Sequence, residues 1–559
     1  MNRLRRIIYV SCIVSIWAWQ LSAQLTAPLN SSGEPFNLKA GSSFTASGGT
    51  AKSAAVSEIA GDIREADEVI KQNYGGGAVT NTDLTKNALD GMLRVLDPHS
   101  NFFDAVEWKD MLDEEDSTYT GIGATISNFE RGGMTDTYIL STFPNSPAAK
   151  AQLRFGDRIV AINGENISQK GSDIVRDKLR GEPGTPLKLT VERAATNHIE
   201  TIEIKRNHVF QPSIPDAYIL RPGVGYIDLS EGFNYTTADE FDAAMQKLAK
   251  LGMKSLVLDL RGNGGGIVDQ AVKVAQRFLP AGTLILTQRG RTRIDNRVWR
   301  STNPTPETMP LVVLVNEDTA SASEIVAGAF QDEDRALIVG ERTFGKGLVQ
   351  SVIDLPGRTG LTLTTARYLT PSGRSIQRDY TKLNIYDYYD HKSPAAEIDS
   401  PYFEARTVTD RKVLGGDGIQ PDETVKADRL DETRAALLDP IFFFVREVVN
   451  GRSATSNNFR PAAFSNGKRW TPADTDALMI QFDDFAKATG KFSTGVLARE
   501  SAFIKLRLNY NFAMAEYGSV AAERVVVEDD PQVAKALEIL PKAAQLTQSA
   551  TIARRKIDQ

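Results

Sequence analysis

The chain has 559 residues, more than one compact domain holds and enough for three or four. Apolar residues make up 41% and charged residues 24%, a globular balance, and a net charge of -6 gives nucleic acid no reason to bind. Its 4 histidines show no metal-ligand spacing and Cys12 is the only cysteine, so internal disulfides and thiolate metal sites are excluded and neither metal nor cofactor is expected.

Arg3, Arg5 and Arg6 precede a short apolar run, Ile7 to Trp19, too short to span a bilayer as a helix. Residues 1–23 therefore read as an export signal with its cleavage site at Leu21-Ser22-Ala23, and an uncleaved anchor is the competing reading. Residues 24–52 are rich in Ser, Gly, Thr and Ala and read as a flexible leader. Ile59, Ile63, Ala66 and Ile70 recur at helical spacing and predict a helix over Val56 to Tyr74. A second helix over Asp83 to Leu96 stops at Asp97-Pro98. These helices make residues 53–116 a helical N-terminal domain or a dimerisation arm.

Residues 117–206 change character to short strand-like runs: Gly123 to Ser127, Tyr138 to Thr142, Arg158 to Ile162, Leu187 to Arg193 and Ile199 to Lys205. Helical stretches at Pro147 to Ala151 and Ser172 to Leu179 interrupt them, and Asn163-Gly164 signals a hairpin turn. Residues 207–450 alternate strands and helices, which implies a sheet covered by helices. Thr237 with Glu240 predicts a capping box opening the first of these helices, and Gly252 closes it. The remainder, 451–559, reads as a helical accessory region. The fold class expected is thus multidomain α+β.

Within the α/β part, Leu311 to Phe330 reads as strand, turn, helix, with Ser321 at the turn. Ser321 followed by Glu324 is an ordinary capping box when taken alone. A helix N-terminus also offers unpaired N–H groups to an oxyanion, which is the setting an acyl-transfer nucleophile needs. Lys346, between Gly345 and Gly347, sits where the backbone passes close to another element. A lysine buried there loses basicity and can take a serine proton near neutral pH. Alternation along a strand puts 346, 348 and 350 on one side, so Gln350 is expected to orient the lysine. The run Asp259 to Gly266 follows a strand without a dinucleotide or phosphate-loop signature. It offers the Gly265 N–H to an oxyanion beside that of Ala322.

Thr319-Ala320-Ser321-Ala322-Ser323-Glu324-Ile325 and Gly345-Lys346-Gly347-Leu348-Val349-Gln350 resemble the active-site motifs of the C-terminal processing peptidases, or tail-specific proteases. Asp259 to Gly266 resembles the family's glycine-rich loop, and Leu96-Asp97-Pro98-His99-Ser100 its N-terminal signature. The resemblance implies a serine endopeptidase with Ser321 as nucleophile, Lys346 as general base and Gln350 as its orienting group. Thr319 stands where the family usually has serine. The β-rich segment resembles a PDZ domain whose carboxylate-binding loop is Gly121-Ile122-Gly123-Ala124, with Leu153 to Ile159 as the following strand entry. Backbone N–H groups in such a loop capture a peptide C-terminus. The partners implied are proteins and peptides with free C-termini, with an adaptor protein or a homo-oligomer left open. With the export signal, the resemblance implies a bacterial periplasm or cell envelope. Two other readings compete. A non-catalytic PDZ-containing peptide-binding protein would have no use for Ser321, Lys346 and Gln350 together. A β-lactam-type enzyme needs lysine three residues after its serine, where this chain has Glu324. No serine sits in a Gly-x-Ser-x-Gly elbow.

Overall fold

A computed structural model describes residues 56–381, 385–389, 404–451 and 472–557; the export signal and leader expected before residue 53 lie outside them. Two helices open the described chain, α1 (Val56–Asn73) and α2 (Asn81–Arg94). Helix α2 begins ahead of Asp83 because Thr80 caps it, its hydroxyl accepting the Asp83 N–H at 3.1 Å. The predicted apolar stripe on α1 is present but not covered by the other described residues: Ile59, Ile63 and Ile70 are all exposed. After the Asp97–Ser100 turn come β1 (Asn101–Phe103) and α3 (Ala105–Glu115).

The β-rich segment is closed at its neck by β2 (Thr118–Gly121) pairing antiparallel with β9 (Asn207–Phe210). Between them lie β3 (Ala124–Arg131), β4 (Met134–Thr142), α4 (Pro147–Lys150), β5 (Arg158–Ile162), β6 (Glu165–Asn166), α5 (Ser172–Leu179), β7 (Pro186–Glu192) and β8 (Ile199–Lys205). The sheet order is β3-β4-β5-β7-β8 with β6 on β5, so β3 is an edge strand. Ile139, Ile159, Val175, Leu187 and Val191 form its core. Asn163 and Gly164, at φ 51° and 84°, make the expected tight turn, which needs two left-handed residues.

The next part holds two sheets. One has the order β10-β11-β12-β15-β16-β21: β10 (Asp216–Arg221), β11 (Val224–Asp228), β12 (Ser255–Asp259), β15 (Leu311–Val315), β16 (Leu337–Gly340) and β21 (Glu423–Thr424). All pairs but β10–β11 are parallel. The other joins β1 to β18 (Thr359–Leu369), β13 (Leu284–Gly290) and β14 (Arg297–Arg300), with β17 (Leu348–Leu355) also on β18. Helices α6 (Thr237–Lys250), α7 (Val268–Gln276) and α8 (Ala322–Asp332) pack into one core with both sheets. The cap of α6 differs from expectation. Thr236 stands at the N-cap, while the Thr237 hydroxyl accepts the Asn234 N–H at 2.7 Å. Glu240 instead takes the Ile214 N–H at 2.9 Å, tying the helix to the preceding loop.

A short helix, α9 (Ile385–Tyr389), and the hairpin β19 (Glu404–Arg406)–β20 (Lys412–Leu414) precede β21. The C-terminal helices are α10 (Glu432–Val449), α11 (Pro472–Ala488), α12 (Thr494–Arg499), α13 (Ser501–Tyr517), α14 (Ser519–Asp529) and α15 (Pro531–Ile557). They are packed against the rest of the chain. Phe442 of α10 stacks on Phe129 of β3 with ring centroids 3.7 Å apart, and Arg446 donates to the Gly156 carbonyl at 2.7 Å. Val533, Ala536, Ile539 and Ala543 of α15 cover Val257, Val312, Leu314 and Val339 on the second face of the parallel sheet. The multidomain α+β class, with a helical C-terminal region, is what the structure shows. No helix among the described residues is long and apolar enough to cross a membrane.

Candidate active site

Ser321 ends the loop between β15 and α8 with φ 54° and ψ -115°, a sparsely populated backbone state for a residue with a side chain and one that costs about 1–3 kcal/mol. This is a sharp strand-to-helix turn made without the flanking glycines of a Gly-x-Ser-x-Gly elbow. The surroundings hold the strain. The Ala320 N–H donates to the Asn263 carbonyl at 3.0 Å, and the Ser321 N–H donates to Glu324 Oε2 at 2.8 Å. The Tyr368 hydroxyl lies 2.9 Å from the Ser321 carbonyl and 2.6 Å from that of Lys346, so one phenol ties the two turns.

Glu324 does more than cap. It is fully buried and accepts from Thr343 Oγ1 at 2.5 Å, Gly345 N at 2.8 Å, Lys346 N at 2.9 Å and Ser321 N. Burial raises its pKa to about 6, and these donors oppose the rise. One carboxylate thus fixes the backbone on both sides of the site.

Ser321, Lys346 and Gln350 line a single cavity of ≈590 Å³, together with Gly264, Gly265, Gly266, Tyr368, His99 and Asp97. Desolvation lowers the Lys346 pKa to about 8, with Asp97 and Glu324 acting in the opposite sense. Lys346 is partly buried by surface area and lines the cavity. Lys346 itself precedes β17, Lys346, Leu348 and Gln350 all line the cavity, and the register shift beside Gln350 puts its extra residue, Thr365, on β18. The Gln350 amide donates to Thr364 Oγ1 at 3.2 Å. Gly265 is reassigned. Its N–H donates to Asn263 Oδ1 at 2.9 Å and so does not face an oxyanion. What matters is its missing side chain, since a Cβ there would lie 2.7 Å from Ser321 Cβ and 2.9 Å from Ala322 N. Ala322 opens α8, where N–H groups lack intrahelical partners.

Sequence reasoning missed Asn263, Glu324 and Tyr368 as holders of the site. Asn263 is fully buried and joins the glycine loop to α8 through Ser323 Oγ at 2.7 Å. His99, from the Asp97–Ser100 turn, reaches the same cavity and bonds Tyr388 Oη at 2.8 Å. Burial, then Lys346 and Arg378, hold its pKa well below the usual range. No group of His, Cys, Asp and Glu fit to hold a metal occurs among the described residues.

The tail-binding loop expected at Gly121 to Ala124 lies between β2 and β3. Gly123 has φ 75°, and a Cβ there would lie 2.4 Å from Ser146 Cβ, so glycine is required. The Ser146 hydroxyl donates to the Gly123 carbonyl at 2.9 Å and the Ala148 N–H to that of Ile122 at 2.7 Å. The loop's carbonyls are thereby turned inward.

The model of peptidase family S41 matches residues 223–386 and that of the PDZ domain residues 141–193. The chain is 39% identical over 301 residues to the carboxy-terminal-processing protease of Bartonella bacilliformis, covering 53% of this chain and 67% of that one. It is 32% identical over 357 residues to the carboxy-terminal processing protease CtpA of Bacillus subtilis, covering 63% and 74%. The chain belongs to the C-terminal processing peptidases. Among solved structures, a photosystem II D1 C-terminal processing protease shares 27% identity at a TM-score of 0.34, over 67% of this chain and 94% of that one. The PDZ match thus precedes the S41 match along the chain.

Proposed function

We propose that this C-terminal processing peptidase is an exported serine endopeptidase with a Ser321–Lys346 pair, acting on proteins held by their C-termini. The observation that carries the reading is that a serine on a strained helix-entry turn shares one cavity with a lysine whose pKa is brought down to about 8. Ser321 Oγ attacks the scissile carbonyl carbon as neutral Lys346 Nζ takes its proton. The tetrahedral oxyanion is held by the Ala322 N–H and an N–H of Gly264 or Gly266. Collapse expels the amine, which receives the proton from Lys346. Water then attacks the acyl-enzyme with the lysine again as base, releasing the acid and free Ser321. Gln350 is assigned the orienting role, since it lines the same wall. The Lys346–Ser321 hydrogen bond belongs to the substrate complex, because catalytic contacts in free enzymes commonly tighten only on binding. The substrate tail pairs with edge strand β3, its carboxylate on the Ile122 and Gly123 N–H groups.

The test is turnover of a peptide with a free C-terminus. Ser321→Ala and Lys346→Ala should each abolish cleavage at unchanged melting temperature. The double variant should lose little more, because the pair acts as one unit. Gln350→Ala should be milder. Near-native turnover by either single variant would overturn the Ser321–Lys346 assignment, whereas absence of turnover by the wild type would favour the non-catalytic binding protein.

A further inference from the structure

We propose that the β13–β14 hairpin docks the protein on an anionic phospholipid membrane surface. The hairpin carries Arg289, Arg291, Arg293, Arg297 and Arg300, all exposed, on a chain whose net charge is -6. None of the five has a carboxylate partner among the described residues. The carboxylates at hand are engaged elsewhere. Asp295 accepts from the Thr292 hydroxyl at 2.5 Å and Asp269 from Trp299 Nε1 at 3.1 Å.

Register supplies a second, independent observation. Arg289 of β13 lies directly opposite Arg367 of β18, and Arg367 too is exposed with no carboxylate partner among the described residues. Like charges facing each other across an antiparallel pair are destabilising, so the pair is retained against its own repulsion, and an external anion relieves it. The tip is built rather than loose. Arg293–Asp295 form a 3-10 turn, and Asn296 accepts the Gly290 N–H at 3.1 Å while donating to the Thr292 carbonyl at 3.1 Å.

Two features select a membrane. Ile294 at the tip is 76% exposed and Val298 56%. Apolar side chains set among arginines are the composition of an interfacial anchor, whereas arginines serving only to guard the edge strand β14 would need no exposed isoleucine beside them. An acidic stretch of substrate fits less well, because the cavity it must enter is lined by Asp90, Glu107, Asp110, Glu114, Glu115 and Glu231.

The experiment is co-sedimentation of the full chain with vesicles of phosphatidylglycerol in phosphatidylcholine, against pure phosphatidylcholine. Every variant carries the same N-terminus, so any contribution of the apolar run there cancels. The wild type should prefer the anionic vesicles and be released by salt. Each arginine at such a surface contributes roughly fivefold, so Arg291→Gln with Arg293→Gln should lower partitioning about twentyfold. Ile294→Asn should lower it about tenfold. Cleavage of a soluble peptide by both variants should be unchanged, which shows that they fold. Equal partitioning to the two vesicle types, or arginine variants that bind as the wild type does, would overturn the proposal. Binding to polyglutamate but not to vesicles would overturn it in favour of an acidic protein partner.

Discussion

Burial brings the Lys346 titration down to about 8, and the sign of the resulting pH dependence follows directly. Below that value the ammonium predominates and cannot accept the Ser321 proton. The rate constant kcat/KM should therefore rise with pH to a plateau above about 8, instead of near the ~10.4 of an exposed lysine. Asp97 favours the charged lysine, so Asp97→Asn should move this limb further toward acid. The asparagine retains the acceptor that Asp97 Oδ1 offers to His99 N at 2.8 Å. A pH-rate profile on both proteins checks each part, and a rate flat across the neutral range counts against a lysine base. Glu324→Gln keeps the shape but leaves one acceptor oxygen where two serve four donors. Losing acceptors for buried donors costs about 1–3 kcal/mol. Here kcat should fall roughly ten- to hundredfold with KM little changed, measured by steady-state kinetics. Ser321 and Lys346 were legible in the sequence because short glycine- and serine-rich motifs surround them. The second job of Glu324 was not, since a capping box explains the residue locally and its other partners lie in another loop. Gln350 faces the cavity that Lys346 and Leu348 also line, and the extra residue at the nearby register shift, Thr365, belongs to β18, so the alternation along β17 is left intact.

Secondary structure near strong local signals matched closely: Ser172–Leu179 and Ile199–Lys205 have the bounds expected of them. The cap of α6 did not match, because Thr236 and Thr237 are adjacent candidates and only contacts from Ser213 and Ile214 decide between them. The joint between the PDZ segment and the C-terminal helices was invisible for the same reason. Phe129 and Phe442 are far apart in sequence yet stacked in space. At the end of β3, the Glu130 N–H donates to Asp439 Oδ1 of α10 at 2.9 Å, so α10 caps the edge on which a substrate tail would lie. Phe442→Ala should cost about 3–5 kcal/mol locally and free the PDZ segment, seen as faster cleavage near residues 207–215 by an added protease. The tail itself can be tested on the intact enzyme. Amidating a substrate's C-terminus removes the carboxylate that the Ile122 and Gly123 N–H groups are proposed to bind. A charged hydrogen bond contributes about 1.5–3 kcal/mol, so kcat/KM should drop roughly ten- to hundredfold. No change on amidation would remove tail recognition while leaving the serine–lysine chemistry standing.

The parallel sheet has two faces, and only one was accounted for by the helices that alternate with its strands. Runs such as Leu311–Val315 are buried at every position, which is the pattern of strands covered on both sides. That pattern was legible, and it required a cover that the alternating helices do not supply. The cover is α15, more than 200 residues beyond β15 in the sequence, and its polar, weakly patterned sequence gave no sign of its partner. The contact is also polar: Arg261, which opens the glycine-rich loop, donates to Gln532 Oε1 at 2.8 Å and pairs with Asp530. Arg335 and Arg554 add bonds between α15 and the loop that follows α8. A C-terminal segment that read as an accessory is therefore bound into the peptidase core by apolar and polar contacts together. Removing Pro531–Ile557 should expose Val257, Val312, Leu314, Leu337 and Val339 as one apolar patch, a surface that soluble monomers rarely present. The truncated chain should be recovered mainly as aggregate, with its soluble fraction melting well below the full chain. A milder variant separates the two contributions. Gln532→Ala removes one polar tie to Arg261 and leaves the apolar cover in place, so the chain should remain soluble while kcat falls through a looser glycine loop. If the truncated chain is soluble, melts like the full chain and cleaves peptide normally, α15 is dispensable and the sheet's second face tolerates water.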